Sequence, residues 1–167
     1  NWERLRDLSR PEQLHFSFYI NTSAELDGDQ YIAETAKQWI PQSQCDFWFV
    51  YLGTVDTAGH MFSWMADDYL KQVTHVDGLI GDILSVVDGE TTVIIHSDHG
   101  GHDRVHGTDS SEDMTIPYMI AGPNVKQDYE IQADVSLLDT TPMVAHILGI
   151  PQHSQWEGNV ISEVFES

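Results

Sequence analysis

The sequence predicts an α/β fold with a mostly parallel sheet and helices on both faces of that sheet. Two short apolar runs, 47–52 and 92–96, have the hydrophobicity of strands that are covered on both faces. A long segment with helical periodicity, 67–87, lies between them. This alternation of strand, helix and strand is typical of helices that cross over between parallel strands.

The same criteria predict the remaining elements. In chain order they are a strand at 15–20, a helix at 27–39, a strand at 116–121 and a helix at 136–148. Pro41 ends the first of these helices, because a proline disfavours a helical residue before it. Gly149 occupies the position just past the last helix, where glycine is common.

Composition restricts the classes of partner. The chain has 167 residues, with 7 Lys+Arg against 27 Asp+Glu, and so a formal net charge of −20. A charge of this sign repels nucleic-acid backbones and anionic membranes, so we expect no nucleic-acid polymer as a partner. The hydrophobic fraction of 41% is sufficient for a packed core.

The single cysteine, Cys45, excludes an internal disulfide framework and fits a reducing compartment, so we expect a cytoplasmic location. No apolar run approaches the roughly 20 residues that cross a bilayer, and we expect no membrane span. The oligomeric state is not predictable from this sequence.

The length allows one domain or part of a larger one. We expect a single domain fragment over 1–167, with a polar lead-in at 1–45, a metal-binding α/β core at 46–151 and a C-terminal tail at 152–167. The chain starts at Asn1 rather than at a methionine, which is consistent with a piece of a longer protein.

Candidate metal ligands follow two of the predicted strands. The segments 53–60 and 97–107 are predicted to be polar loops, and the candidate ligands in them are Asp56, His60, Asp98, His99 and His106. One such Asp or His is more often a turn or capping residue. Their joint placement after two buried strands favours a divalent-metal site with one or two ions. The cluster contains no sulfur, which excludes a closed structural cysteine site.

The pattern strand–DTAGH, long helix with His75-Val76-Asp77, strand–SDHGG, then HG resembles the alkaline phosphatase superfamily. Within it, the chain is most similar to the type I phosphodiesterase/nucleotide pyrophosphatase-like metalloenzymes. The resemblance runs from about residue 46 to residue 150 and includes 115–123 and 138–151.

The resemblance implies a site for two divalent metal ions. Asp56, His60 and His106 would hold the first ion, and Asp98 and His99 the second. Zinc is the leading metal for a histidine and carboxylate set, and manganese is the next. The implied reaction is hydrolysis of a phosphorylated small molecule or a phosphodiester.

The resemblance also implies a Ser or Thr nucleophile near the N-terminus of the domain, after a strand and an Asp. This chain has no such segment before residue 46, so the catalytic nucleophile is expected outside it. We therefore expect a C-terminal part of an enzyme that binds one metal by itself and is inactive alone.

Two further loop residues are candidates for substrate binding. Arg104 could clamp a phosphate through its bidentate guanidinium, or pair with a neighbouring aspartate such as Asp103 or Asp109. His102 could contact the same phosphate, or be a solvated loop histidine.

Two other functions stay open. A sulfatase shares the implied fold, although its calcium site is expected to be richer in Asp and Asn than this cluster. A non-catalytic metal-binding or interaction module is the alternative from a different class.

Overall fold

The computed structural model describes Phe18, residues 20–22 and residues 25–166. The strand predicted at 15–20 therefore lies mostly outside the described residues. The chain divides into two compact units: residues up to Val87 together with Gly101–His106, and Asp88–Gly100 together with the residues from Gly107 onward. Among the described residues, no helix has the length and apolarity to cross a membrane.

The described residues of the first unit form three α-helices. They are α1 at Gly28–Trp39, continued by a 3₁₀ turn at Ile40–Gln42, α2 at Thr54–Phe62, and α3 at Asp67–Leu84. The periodicity predicted α1 and α3 within a few residues. Acidic residues in their first turns, Asp29 in α1 and Asp67 and Asp68 in α3, suit the positive end of the helix dipole.

Helix α3 packs against both α1 and α2. Among the described residues of this unit, the buried apolar ones are mostly small, which lets the helix backbones approach closely. They are Ala33, Ala36, Ala58, Val76 and Leu79. At the surface, Lys37 of α1 forms an ion pair with Asp82 of α3 at 3.0 Å.

Helix α2 corrects the prediction of a polar loop at 53–60. Its nine residues, Thr54–Phe62, have no capping side chain of their own at the N-terminus. The buried carboxylate of Asp29 instead accepts the backbone N–H groups of Gly53 and Thr54, each at 2.9 Å. The stabilising group comes from α1, and no local pattern in 53–60 encodes it.

The predicted strand at 47–52 is also wrong, because these residues form no strand. Phe47 and Phe49 are 53% and 68% exposed, whereas the prediction required both faces to be covered. A strand needs a hydrogen-bonded neighbour, and in the described part of the chain the one sheet does not include this segment.

The second unit contains that sheet, which has two strands. They are β1 at Val93–His96 and β2 at Tyr118–Ala121, and both were predicted in place. They run antiparallel, with Val93 opposite Ala121 and His96 opposite Tyr118, so the predicted mostly parallel orientation is wrong for this pair. The connection between them holds only the four-residue helix α4 at Ser111–Met114, and so lacks a crossover helix.

Behind the sheet lies the apolar core of the second unit. Helix α5 at Thr140–Ile147, preceded by a 3₁₀ turn at Leu137–Asp139, contributes the fully buried Met143. Ile161 and Val164 complete the core, Val164 within a 3₁₀ turn at Ser162–Val164, and Ile94 and Ile120 of the strands pack against them. Gly149 follows α5 with a φ of 68°, as predicted for a residue just past a helix.

Candidate metal centre

Two of the candidate ligands lie on helix α2. Asp56 and His60 are four residues apart and therefore face the same side of the helix, one turn from each other. A helix holds such a pair at a fixed spacing, which a flexible loop would not do. The helical form of 54–62 thus makes this pair a better-defined site than the predicted loop.

The anchoring of α2 involves both α1 and α3. The Asp29 carboxylate of α1 also accepts the Thr54 hydroxyl, at 2.5 Å. Gln72 of α3 donates its amide to the same hydroxyl oxygen, at 2.7 Å, and to the carbonyl of Leu26, at 3.0 Å. Since Asp29 is completely buried, the start of the ligand-bearing helix is held by charge-assisted bonds away from water.

The third candidate ligand, His106, joins this pair from the segment Gly101–His106. Asp56 Oδ1 lies 3.5 Å from His60 Nε2 and 3.4 Å from His106 Nε2. One ligand atom from each of the three residues lies within 4.8 Å of the others. We call Asp56, His60 and His106 the ligand triad.

These separations fit a small divalent cation. In a tetrahedral site with metal–ligand bonds of about 2.1 Å, neighbouring ligand atoms are about 3.4 Å apart. The Asp56 oxygen is at nearly this distance from both imidazole nitrogens. The three side chains are 37%, 45% and 30% exposed, so the site is open toward solvent, as a catalytic metal site with a free position requires.

The orientation of His60 is set by a backbone carbonyl. Its Nδ1–H donates to the carbonyl oxygen of Arg104 at 2.9 Å, which directs Nε2 toward Asp56. Such a partner on the second ring nitrogen is usual for metal-binding histidines. Arg104 and His106 come from the same segment, so this segment both supplies one candidate ligand and orients another.

The segment Gly101–His106 is held by its own hydrogen bonds and by one from Trp64. His102 and Val105 exchange backbone hydrogen bonds of 3.1 and 2.9 Å. The backbone N–H of Trp64 donates to the carbonyl of Asp103 at 2.6 Å. These bonds fix the backbone from which His106 extends.

Tyr69 of α3 lies close enough to the triad to experience its charge. Burial, and to a smaller extent the nearby Asp56 carboxylate, raises the pKa of Tyr69 above its ordinary value. The phenol therefore stays protonated at neutral pH.

The other two predicted ligands, Asp98 and His99, lie in the second unit just after β1. His99 Nδ1–H donates to the carbonyl of Gly100 at 2.7 Å, and His99 Nε2 lies 3.8 Å from Asp98 Oδ1. The backbone N–H of Gly100 in turn donates to the carbonyl of Asp113 at 2.8 Å. The pair offers one carboxylate and one imidazole, both groups that bind divalent metals. Its role in holding a second ion stays a prediction.

The substrate-binding roles of Arg104 and His102 also stay predictions. Arg104 is exposed, and its backbone carbonyl accepts the hydrogen bond from His60. Sequence reasoning identified neither this carbonyl nor Asp29. A backbone carbonyl is present in every residue, so the sequence does not single it out. The residues that Asp29 contacts, Gly53 and Thr54, lie 24 and 25 positions further along the chain.

The chain matches a protein-family model. Residues 18–152 match the model described as "Metalloenzyme superfamily". This range covers most of the chain and includes all five candidate ligands.

Three curated relatives illustrate the range of similar proteins. Arylsulfatase K of Danio rerio is 29% identical over 101 residues, which cover 54% of this chain and 19% of that protein. GPI ethanolamine phosphate transferase 1 of Homo sapiens is 26% identical over 129 residues, which cover 62% of this chain and 14% of that protein. Phosphopentomutase of Symbiobacterium thermophilum is 24% identical over 140 residues, which cover 81% of this chain and 33% of that protein.

The chain thus spans between 14% and 33% of the length of these three relatives. No solved structure gives a significant match to the chain.

Proposed function

The chain belongs to the Metalloenzyme superfamily, and on that basis we propose that it is the metal-binding part of a metal-dependent phosphoester hydrolase. The resemblance to the alkaline phosphatase superfamily is confirmed by this membership and by the relatives. Members of the superfamily are metal-dependent hydrolases and transferases. The phosphoester substrate is the part that we propose here.

The observation that supports this proposal best is the ligand triad. Two imidazole nitrogens lie 3.5 and 3.4 Å from one carboxylate oxygen, close to the spacing of tetrahedral ligands, and one imidazole is already oriented by a carbonyl. This donor set suits zinc first and manganese next, and suits calcium poorly, because calcium prefers oxygen ligands throughout. A second ion at Asp98 and His99 is part of the proposal.

The ligands also determine the charge that a substrate meets. Asp56 contributes one negative charge, while His60 and His106 bind a metal as neutral imidazoles. A divalent ion held by these three groups would keep a net positive charge and polarise a phosphoryl oxygen as a Lewis acid. This local charge would attract an anionic ester in spite of the net charge of −20.

We propose that the nucleophile comes from another part of the parent protein. Thr57, the hydroxyl residue between the α2 ligands, is 7% exposed, and its Oγ1 donates to the carbonyl of Thr22 at 2.8 Å. Its hydroxyl serves to hold the chain before α1 against α2. The chain alone should accordingly hydrolyse no 4-nitrophenyl phosphate.

A sulfate-ester hydrolase is the second candidate. It is favoured by the match to Arylsulfatase K, which reaches 33% identity over 97 residues for the protein of Xenopus laevis. Against it, the triad contains two histidines, whereas the calcium site expected of a sulfatase is built from oxygen ligands.

Calorimetric titration of the 167-residue chain with Zn²⁺ and Mn²⁺ tests the metal site. We expect tight binding that Asp56→Ala abolishes and that Asp77→Ala, an exposed carboxylate change on α3, leaves unchanged. Equal binding by all three proteins, or by none, would overturn the proposed site.

The metal-loaded chain should then be titrated with phosphate and with sulfate. Stronger binding of phosphate supports the phosphoester proposal, because the phosphate dianion at about pH 8 complements a cationic site and is also a hydrogen-bond donor or acceptor. Preferential binding of sulfate would favour the second candidate instead.

A further inference from the structure

Trp64, in the turn between α2 and α3, contacts both histidines of the ligand triad. Its ring meets the His60 ring at a centroid distance of 5.1 Å and an interplanar angle of 89°. It meets the His106 ring at 5.8 Å and 72°. Both are edge-to-face arrangements, which aromatic rings favour over face-to-face stacking. One side chain thus borders two ligands that come from separate segments.

Two glycines make room for this ring. A Cβ placed on Gly59 would lie 2.5 Å from a carbon of the Trp64 indole, and a Cβ on Gly101 would also overlap the indole. Real Cβ atoms essentially never come so close to another heavy atom. Gly59 immediately precedes His60, and Gly101 begins the segment that carries His106. The indole therefore packs directly on the backbone of both ligand-bearing segments.

The backbone on either side of Trp64 is in unusual conformations. Ser63 and Met65 have φ values of 81° and 65°, in a region that residues other than glycine seldom adopt. Such conformations persist where surrounding contacts over-determine them, and they concentrate at functional sites. Here the contacts are the packing of the indole and the 2.6 Å hydrogen bond from the Trp64 N–H to Asp103.

We propose that Trp64 is a positioning residue that sets the relative orientation of the His60 and His106 imidazoles and thereby the metal affinity of the triad. An imidazole lone pair lies in the plane of its ring, so a ring that is free to rotate aims it away from the ion. The indole edge and face restrict both rotations at once. This inference rests on the proposed metal site, and Trp64 itself contacts no metal.

The first test compares Trp64→Leu with Trp156→Leu in Zn²⁺ and Mn²⁺ titrations. Trp156 is a matched control, because it also contacts a histidine, His153, at 6.1 Å, but belongs to the second unit. Groups that orient metal ligands typically change metal affinity by about 10–100-fold, so we expect Trp64→Leu to weaken binding by about tenfold or more. Trp156→Leu should leave the affinity unchanged.

The second test displaces the indole without removing it. Gly59→Ala forces the ring to move, and we expect several-fold weaker metal binding. In the Trp64→Leu background the same substitution should have little further effect, because the ring that it displaces is gone. Equal effects of Gly59→Ala in both backgrounds would overturn the inference. Gly59→Ala also answers the question if Trp64→Leu does not fold.

A third measurement needs no metal. Loss of the indole ring current should shift the imidazole proton resonances of His60 and His106 in the metal-free chain, while those of His153 stay in place.

If the unmodified chain binds no metal, the proposed site is wrong. If it binds metal and folded Trp64→Leu binds equally well, only the positioning role is wrong.

Discussion

Asp29 and Thr54 are joined at two points: the carboxylate oxygen Oδ2 of Asp29 accepts both the backbone N–H of Thr54, at 2.9 Å, and its hydroxyl, at 2.5 Å. Both residues are completely buried. The pair connects α1 to the first residue of α2, the helix that carries Asp56 and His60. The stability of this helix therefore depends on a carboxylate that lies in another one.

Asp29→Asn is expected to lower the free energy of unfolding by about 1–3 kcal/mol, because the amide nitrogen would face the backbone N–H of Gly53 or Thr54, which then lacks an acceptor. Urea denaturation measures the change. Asp77→Asn, at an exposed position of α3, serves as control and should stay within about 0.5 kcal/mol. An Asp29→Asn chain as stable as the parent would show that the carboxylate is dispensable for α2.

The periodicity of the sequence predicted helices α1, α3 and α5 because each has an apolar face that tertiary structure then covers. It failed for α2, whose nine residues depend on Asp29. It also failed for 47–52, where apolar content indicated burial but the described residues provide no neighbouring strand. Local sequence patterns predict helices whose own residues have apolar periodicity. They do not show whether a segment has the distant residue or the neighbouring strand that it needs.

The ligand triad illustrates the same limit. Residue type and spacing singled out Asp56, His60 and His106, since polar residues after an apolar run are unusual enough to be informative. The groups that orient them were not predictable. His60 is oriented by the backbone carbonyl of Arg104, and every residue type has such a carbonyl. The contacts of Trp64 depend on how α2 and Gly101–His106 approach each other within the first unit.

The two groups of candidate ligands should differ in metal affinity. Three ligands converge in the triad, whereas Asp98 and His99 are a pair, so we expect one tight ion per chain and a weaker second one. Asp98→Ala should remove the weaker ion and leave the tight one, and Asp56→Ala should do the reverse. Elemental analysis after dialysis against the metal gives the stoichiometry. Loss of the tight ion in Asp98→Ala would contradict this assignment.

The contact between Tyr129 and Glu163 makes stability dependent on pH. The Tyr129 hydroxyl donates to the Glu163 carboxylate at 2.7 Å, and this bond, with backbone N–H groups from Ala133 and Gln132, lowers the pKa of Glu163. A carboxyl group whose pKa is lowered by folding contributes stability above its unfolded pKa of about 4.3, and this contribution is lost as the pH falls through the folded pKa.

The same hydrogen bond raises the pKa of Tyr129. The stability that Tyr129 contributes is therefore present below the ordinary tyrosine pKa and is lost as the pH rises through the raised pKa. Glu163→Gln should therefore be less stable than the parent between about pH 5 and about pH 9, and the difference should shrink below about pH 4. Urea midpoints across this range measure it. Glu157→Gln, an exposed change, should show no such profile.

Two glycines should respond to alanine in opposite directions. Gly78 lies within α3, and a Cβ added there would have open space around it, so Gly78→Ala should raise the free energy of unfolding by about 0.5–1 kcal/mol. Gly149 has a φ of 68°, and Gly149→Ala should lower the free energy of unfolding by about 1 kcal/mol. Thermal unfolding of both variants tests the pair, and a stabilised Gly149→Ala would contradict the helix-end role.

The origin of His106 has a consequence for how this protein responds to chelators. The chain leaves the first unit after Val87 and returns to it only for Gly101–His106. An ion shared by His106 and α2 would tie the returning segment to that helix and close a long loop, as a reversible cross-link does. Stripping the ion would remove this cross-link and leave the segment held by its backbone hydrogen bonds, so proteases should cut Gly101–His106 faster in the chelated chain than in the metal-loaded one.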